Sequence, residues 1–286
     1  MLTEFEGRVA VVTGAASGIG KAMCERFARE GMHVVMADVE ADALREAARS
    51  IEAQGAEVLA HRTDVSQADE FSGLAEATLD RFGKVHVVCN NAGVFAGGHT
   101  WEAVGSDWEW VLGVNLYGVL YGIRAFVPIL LEQGEPGHVV NTCSMAGLIN
   151  MPLSGAYNVS KHAALSLTET LYHELKSTNS EVGCSALCPE LIRTGIGRSE
   201  RNRPAHLKRP GEATPVQDLL EQALQSSTDG GLDPSVMADR VFEGIREDRF
   251  YLLAEEGSSW DLACRTRLDD IKERRNPSVG VVTGAN

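Results

Sequence analysis

Short apolar runs alternate with amphipathic stretches through the first half of the chain. RVAVVTG (8–14) is an unbroken apolar run closed by glycine, the pattern of a strand buried on both faces. IGKAMCERFAREG (19–31) follows, with apolar positions three and four apart and a glycine stop at Gly31, so it reads as a helix. HVVMAD (33–38) is a second strand, and EADALREAARSIEAQG (40–55) a second helix closed by Gly55. EVLAHRTD (57–64) is a third strand. SQADEFSGLAEATLDRFG (66–83) is a third helix, entered through Ser66 and ended by Gly83, and VHVVCNNAG (85–93) is a fourth strand.

The second half continues the theme. Residues 107–132 form one long helical pattern, with Gly113 and Gly118 beside Asn115 marking a local irregularity. GHVVNTCS (137–144) is a fifth strand, 157–176 a helix, and EVGCSALCP (181–189) a sixth strand. SVMADRVFEGIRED (235–248) is a helix and RFYLLAE (249–255) a seventh strand. Strands alternating with helices predict an α/β fold, a parallel sheet covered on both faces and wound by right-handed crossovers. No composition break interrupts residues 1–265, so these predict one domain, with 266–286 as a C-terminal tail. Residues 195–235 differ from the rest, being polar, proline-containing and basic at Arg198, Arg201, Arg203, Lys208 and Arg209. Such an insertion reads as a lid over a site or as a linker. Its basic cluster reads as a solvated or subunit-facing surface, or as a holder for an anionic substrate group. The final VGVVTGAN (279–286) echoes the first strand but has no helix after it.

Composition narrows the function. The 286 residues are 44% hydrophobic and 23% charged, with a formal net charge of −14. That acidity disfavours nucleic acid and anionic membrane surfaces as partners. No uninterrupted apolar run approaches the ~20 residues of a membrane span, and no basic, apolar leader opens the chain. Six cysteines, none in a C-x-x-C pair, read as buried free thiols of a cytoplasmic protein. The eight histidines show no ligand spacing, so no metal is expected.

Two motifs carry chemistry. TGAASGIG (13–20) lies between the first strand and the first helix, where glycines let the backbone approach a pyrophosphate and the helix N-terminus favours its charge. Alone it could be an ordinary glycine-rich turn. Tyr157 and Lys161 are four apart on a helix and share a face. Lowering a tyrosine from ~10 to ~7 takes about 4 kcal/mol. One unit charge at ~4 Å in an effective dielectric of ~20 supplies about as much. Alone this pair would be an ordinary surface feature.

Together these residues resemble the short-chain dehydrogenase/reductase family over nearly the whole chain. TGAASGIG matches its T-G-x-x-x-G-x-G loop, NNAG (90–93) its N-N-A-G motif, and Tyr157 with Lys161 its Y-x-x-x-K. Asn115 and Ser144 fall where the family has its asparagine and serine. CPELIRT (188–194) is similar to its P-G-x-V-x-T, with Glu190 in place of the glycine. The resemblance implies a Rossmann-type, doubly wound, seven-stranded parallel sheet of order 3-2-1-4-5-6-7. It implies Asn115, Ser144, Tyr157 and Lys161 as the catalytic set. It implies a cofactor held by Gly14, Ser17, Gly18, Ile19, Gly20, Asp38, Asp64, Val65, Asn91, Ala92, Gly93, Tyr157, Lys161, Pro189, Ile192 and Thr194. Within it, Asn91 meets the adenosine-side ribose, Thr194 the carboxamide, and Asn115 positions a water next to Lys161.

Asp38 ends the second strand, where a carboxylate accepts from ribose hydroxyls and repels a 2′-phosphate, so NAD is expected over NADP. The expected reaction is hydride transfer between a secondary alcohol or ketone and nicotinamide, with Tyr157 as acid/base. The substrate pocket is expected from the lid and around Phe95, Trp101, Met145, Leu148, Ile149, Met151 and Leu153, which suits a moderately hydrophobic, aryl or alicyclic small molecule. The lid and C-terminal segment resemble a bacterial subgroup that includes dehydrogenases of aryl carbinols. The family resemblance also implies a homo-oligomer, dimer or tetramer. An NAD-dependent epimerase or dehydratase, and a catalytically silent NAD-binding sensor or scaffold, are the competing readings.

Overall fold

The computed structural model describes residues 2–211 and 213–278. Its seven strands form one parallel sheet in the order β3-β2-β1-β4-β5-β6-β7. They are β1 (Val9–Thr13), β2 (His33–Asp38), β3 (Val58–Arg62), β4 (Val87–Asn90), β5 (Gly137–Thr142), β6 (Val182–Leu187) and β7 (Tyr251–Leu252). Helices α1 (Gly18–Arg29), α2 (Ala41–Glu52) and α8 (Pro234–Arg246) cover one face of the sheet. Helices α3 (Ala68–Phe82), α5 (Gly118–Gln133) and α6 (Gly155–Ser177) cover the other.

Alternation of side chains explains why the strands are apolar throughout. In β1, Ala10 and Val12 join Phe27 and Ile51 on one face, while Val9 and Val11 join Phe71 and Phe126 on the other. The order reverses between β1 and β4, so the carboxyl ends of these two strands open a crevice at the switch point.

Helix α4 (Gly105–Leu112) runs into α5 through a π-helical stretch, Gly113–Tyr117, where the glycines had marked an irregularity. The combined helix, Gly105–Gln133, is long and apolar enough to cross a membrane. Reading for uninterrupted apolar runs missed this, because Arg124 and polar residues break its sequence. Phe126, Val127 and Leu130 lie in the core beneath the sheet.

Several boundaries differ from those expected. Helix α3 begins after Gln67, since Ser66 instead donates to Asp64 through its hydroxyl (2.7 Å). Strand β7 is only two residues long. The 195–235 segment is neither loop nor linker throughout. It contains short 3₁₀ turns at Ile196–Asn202 and Ala205–Leu207, then α7 (Pro215–Asp229). A helix, α9 (Ser259–Glu273), runs across residue 265, where the tail had been set to begin. The VGVVTGAN echo lies outside the described residues. All six cysteines are free and buried.

Candidate active site

The crevice at the carboxyl ends of β1 and β4 is a cleft of about 570 Å³. Of the catalytic and cofactor residues expected from sequence, all line it except Gly20 and Asn115. Gly14, with φ +66°, turns the chain from β1 toward α1. Gly20 acts by close packing, since a Cβ there would lie 2.1 Å from the Gly14 carbonyl oxygen. Ser17 precedes α1 without capping it through its side chain, which leaves the first N–H groups of the helix facing the cleft. These uncapped donors fit a pyrophosphate. Gly20→Ala is therefore expected to abolish detectable NAD binding in a calorimetric titration while the sheet remains folded by circular dichroism.

At the tip of β2, the Asp38 carboxylate accepts from the backbone N–H of Ala16 (3.0 Å) and of Glu40 (2.9 Å). Burial raises its pKa, against those bonds. The fixed carboxylate fits an unphosphorylated ribose. Asn91 is spent on the protein. Its amide donates to the Thr13 carbonyl (3.0 Å) and accepts from the Thr142 hydroxyl (3.1 Å), tying the ends of β1, β4 and β5 together. Thr13 was overlooked in the sequence, although it opens the glycine motif. Its hydroxyl oxygen accepts from the N–H groups of Asn91 and Ala92 (2.9 and 3.1 Å). The side chain of Thr194 stands over Gly18, at the phosphate turn.

At the other end, α6 brings Tyr157 and Lys161 to one wall. The Lys161 ammonium lies 5.7 Å from the Tyr157 ring centroid and donates to the Thr142 carbonyl (2.9 Å). Phe95 meets the Tyr157 ring edge-on at 5.3 Å. Ser144 caps a 3₁₀ turn, Met145–Gly147, its hydroxyl accepting from the Ala146 N–H (3.1 Å). That turn lies against α6, because Gly147 has no side chain to meet the Lys161 carbonyl. Asn115 is fully buried in the π-helical stretch. Its side chain clamps Val94, accepting from the N–H (2.8 Å) and donating to the carbonyl (2.9 Å), and also donates to Ser160 (3.0 Å). It braces the wall of the cleft without reaching into it.

The electrostatics differ from the simple pair estimate. Burial raises the Tyr157 pKa, against a hydrogen bond with Ser144 that lowers it. Burial also pushes Lys161 down to about 8. Desolvation of both groups thus outweighs the field of one ammonium more than 5 Å from the ring. Between about 8 and the ordinary 10.5, the unfolded chain holds a proton on Lys161 that the folded chain has released. Stability from this group therefore rises with pH across that window, and its full cost is present below it. Lys161→Met is expected to raise the Tm of the ligand-free protein most below pH about 8. Its advantage over wild type should shrink as pH rises through the window. A difference independent of pH would show that Lys161 is not desolvated.

The sequence profile of the short chain dehydrogenase family matches residues 8–205. The chain belongs to this family. Among short chain dehydrogenases of known structure, one from Burkholderia phymatum, solved in complex with NAD, superposes with a TM-score of 0.94 at 47% identity. The match covers 97% of this chain and 98% of that one. A 1-deoxy-11-beta-hydroxypentalenate dehydrogenase from Streptomyces exfoliatus is 38% identical, over 94% of this chain and 90% of its own. A C alpha-dehydrogenase from a Sphingobium strain is 29% identical, over 88% and 82%.

Against this family frame, three features of the chain stand apart. First, Glu190, in place of the motif glycine, keeps a negative φ and forms a double ion pair with Arg240 of α8 (2.9 and 3.2 Å). The turn is anchored by charge where glycine would have left it free. Second, the basic cluster of the 195–235 segment is divided, with Arg198, Arg201 and Lys208 exposed and Arg203 and Arg209 turned inward. Arg203 and Arg209 both contact Asp107 of α4 at 2.7 Å, Arg203 and Asp107 are buried and Arg209 half-buried, and Glu200 completes the cluster. Neither a solvated surface nor an anion holder describes these two residues. Third, the pocket is lined by only part of the apolar set expected from sequence. Met145 and Ile149 belong to the core and Trp101 is 81% exposed, whereas Phe95 and Met151 line the cleft. Leu207, Leu220 and Leu224 of the 195–235 segment and Trp260 of α9 complete the apolar wall.

Proposed function

We propose that the protein is an NAD-dependent oxidoreductase that oxidises a moderately hydrophobic secondary alcohol, or reduces the matching ketone. The observation that carries this reading is the single cleft that joins an uncapped helix N-terminus and Asp38 at one end to Ser144, Tyr157 and Lys161 at the other. Bound NAD supplies the hydride acceptor and a cationic ring. Tyr157 takes the hydroxyl proton, and Ser144 hydrogen-bonds the same oxygen as charge develops on it. Lys161 orients the ribose next to the ring and adds its charge to that of the nicotinamide in lowering the Tyr157 pKa. Asn115 acts by bracing the Val94 wall. Two relatives are dehydrogenases by name, and the one named for 11-beta-hydroxypentalenate supports a hydroxyl-bearing substrate.

Residues 195–235 act as a lid, with α7 as its apolar inner face. Arg203 and Arg209 are committed to Asp107 and Arg201 to Glu40, so no arginine among the described residues lining the cleft is free for a carboxylated substrate. A panel of secondary alcohols, aryl, alicyclic and steroid, each with a carboxylated counterpart, tests this by NADH formation. Uncharged members should turn over and their carboxylates should not; the reverse order would refute the assignment. Exposed Tyr117 and Leu131 on the α4–α5 helix support assembly as a dimer or tetramer, and six buried free thiols support a cytoplasmic location.

A further inference from the structure

The start of the 195–235 segment is fastened to both walls of the cleft. On one side Arg203 and Arg209 reach Asp107. On the other, two residues beyond Asp38, the Glu40 carboxylate accepts from Arg201 Nη2 (2.7 Å) and from Asn202 Nδ2 (2.8 Å). Against the burial that raises it, the bonds from Asn202 and Arg201 hold the Glu40 carboxyl below its ordinary pKa. Arg201 is the one arginine among the described residues that lines the cleft, and it does so beside Asp38, Val39 and Glu40. Its guanidinium is aimed by its own segment, since Nη1 donates to the carbonyls of Gly195 (3.1 Å) and Arg198 (2.9 Å). Those two bonds do not depend on Glu40.

We propose that Glu40 is a second determinant of the preference for NAD over NADP, acting by occupying Arg201. A 2′-phosphate is recognised by an arginine at the end of β2. This fold places an arginine there from the far side of the cleft, then ties it to a carboxylate. Asp38 repels the phosphate directly, while Glu40 both repels it and withholds its natural partner. Removing Asp38 alone therefore leaves Arg201 engaged, and removing both carboxylates leaves it aimed and free. This inference rests on the NAD-binding reading above.

The test is a calorimetric titration with 2′,5′-ADP and with ADP, which differ in the 2′-phosphate. It uses the full-length protein, Asp38→Asn, Asp38→Asn/Glu40→Ala, and the latter with Arg201→Met added. The double variant should bind 2′,5′-ADP at least ~10-fold more tightly than Asp38→Asn does, as expected for one charge-assisted hydrogen bond. Adding Arg201→Met should remove that gain while ADP affinity changes little. Glu40→Gln, which keeps the side-chain shape, should give the same order with a smaller gain, and serves if the alanine variant does not fold. Equal 2′,5′-ADP affinity with and without Glu40, or a gain that survives loss of Arg201, would overturn the proposal. NAD is titrated into the wild type in parallel. Failure there removes the cofactor reading itself, whereas normal NAD binding with no gain in the double variant removes only the role of Glu40.

Discussion

Tyr157→Phe is expected to lower turnover with NAD and a secondary alcohol by at least ~10²–10⁴-fold, the range for loss of a positioned acid/base. The ring should stay where it is. Phenylalanine retains the edge contact with Phe95 and the packing of α6, and only the hydroxyl next to Ser144 is removed. The loss should therefore appear in kcat, with calorimetric NAD affinity nearly unchanged. The raised Tyr157 pKa sharpens this expectation. In the ligand-free fold the phenol is neutral, so activation has to come from charge that arrives with the cofactor, added to that of Lys161. Wild-type pH–rate profiles should then show a lower apparent pKa in kcat than in NAD-free titration of the phenol by absorbance. Near-normal turnover in the phenylalanine variant would remove Tyr157 from the chemistry.

Asp107→Asn is expected to cost about 3–5 kcal/mol, the range for breaking a buried ion pair by removing one partner. The carboxylate is 4% exposed and serves two arginines, with Arg203 only 1% exposed. Arg203 would keep its bonds to the Leu207 carbonyl (2.7 Å) and Glu200 (3.0 Å), so it stays partly neutralised. Arg209 keeps only the longer contacts to Glu200 (3.5 Å) and Glu221 (4.0 Å). The damage should thus fall on the 195–235 segment, seen as faster proteolysis within it and a higher KM for the alcohol. The exposed Arg198 is the comparison, since its replacement by alanine should change stability by no more than ~0.5 kcal/mol. Equal effects of the two substitutions would mean that the Asp107 cluster does not fasten the segment.

The sheet was legible because burial on both faces makes each strand continuously apolar, and such runs survive in sequence without knowledge of their neighbours. The glycine loop and the Tyr157–Lys161 pair were legible for a related reason. Their function depends on local spacing along one turn or one helix. What was not legible depends on long-range partners. Arg203 and Arg209 look like surface cations in sequence, and only the fold brings Asp107, about a hundred positions away, to them. Part of the pocket lining was misplaced for the same reason, as Met145 turns into the core and Trp260 arrives from a distant helix.

Helix α7 is a different case. Thr214, Pro215 and Gln217 spell a helix entrance, and the capping box is made, with the Thr214 N–H donating to Gln217 Oε1 (2.8 Å) and the Gln217 N–H to Thr214 Oγ1 (3.3 Å). The polar composition of the segment concealed that signal. The energetics of Tyr157 and Lys161 were hidden in another way. A spacing of four residues gives proximity but not the depth of burial, and burial decides the direction of both pKa shifts.

If this cleft moves a hydride between a carbinol carbon and NAD, a label on that carbon must follow it. The most direct measurement uses a secondary alcohol carrying deuterium on the carbinol carbon, drawn from the uncharged members that turn over, and follows the label by mass spectrometry. Deuterium should appear in the reduced nicotinamide, one atom for each ketone formed, and its transfer should fall in Tyr157→Phe by the same factor as turnover. Ketone formed without label in NADH, or tight NAD binding with no transfer from any alcohol in the panel, would contradict it.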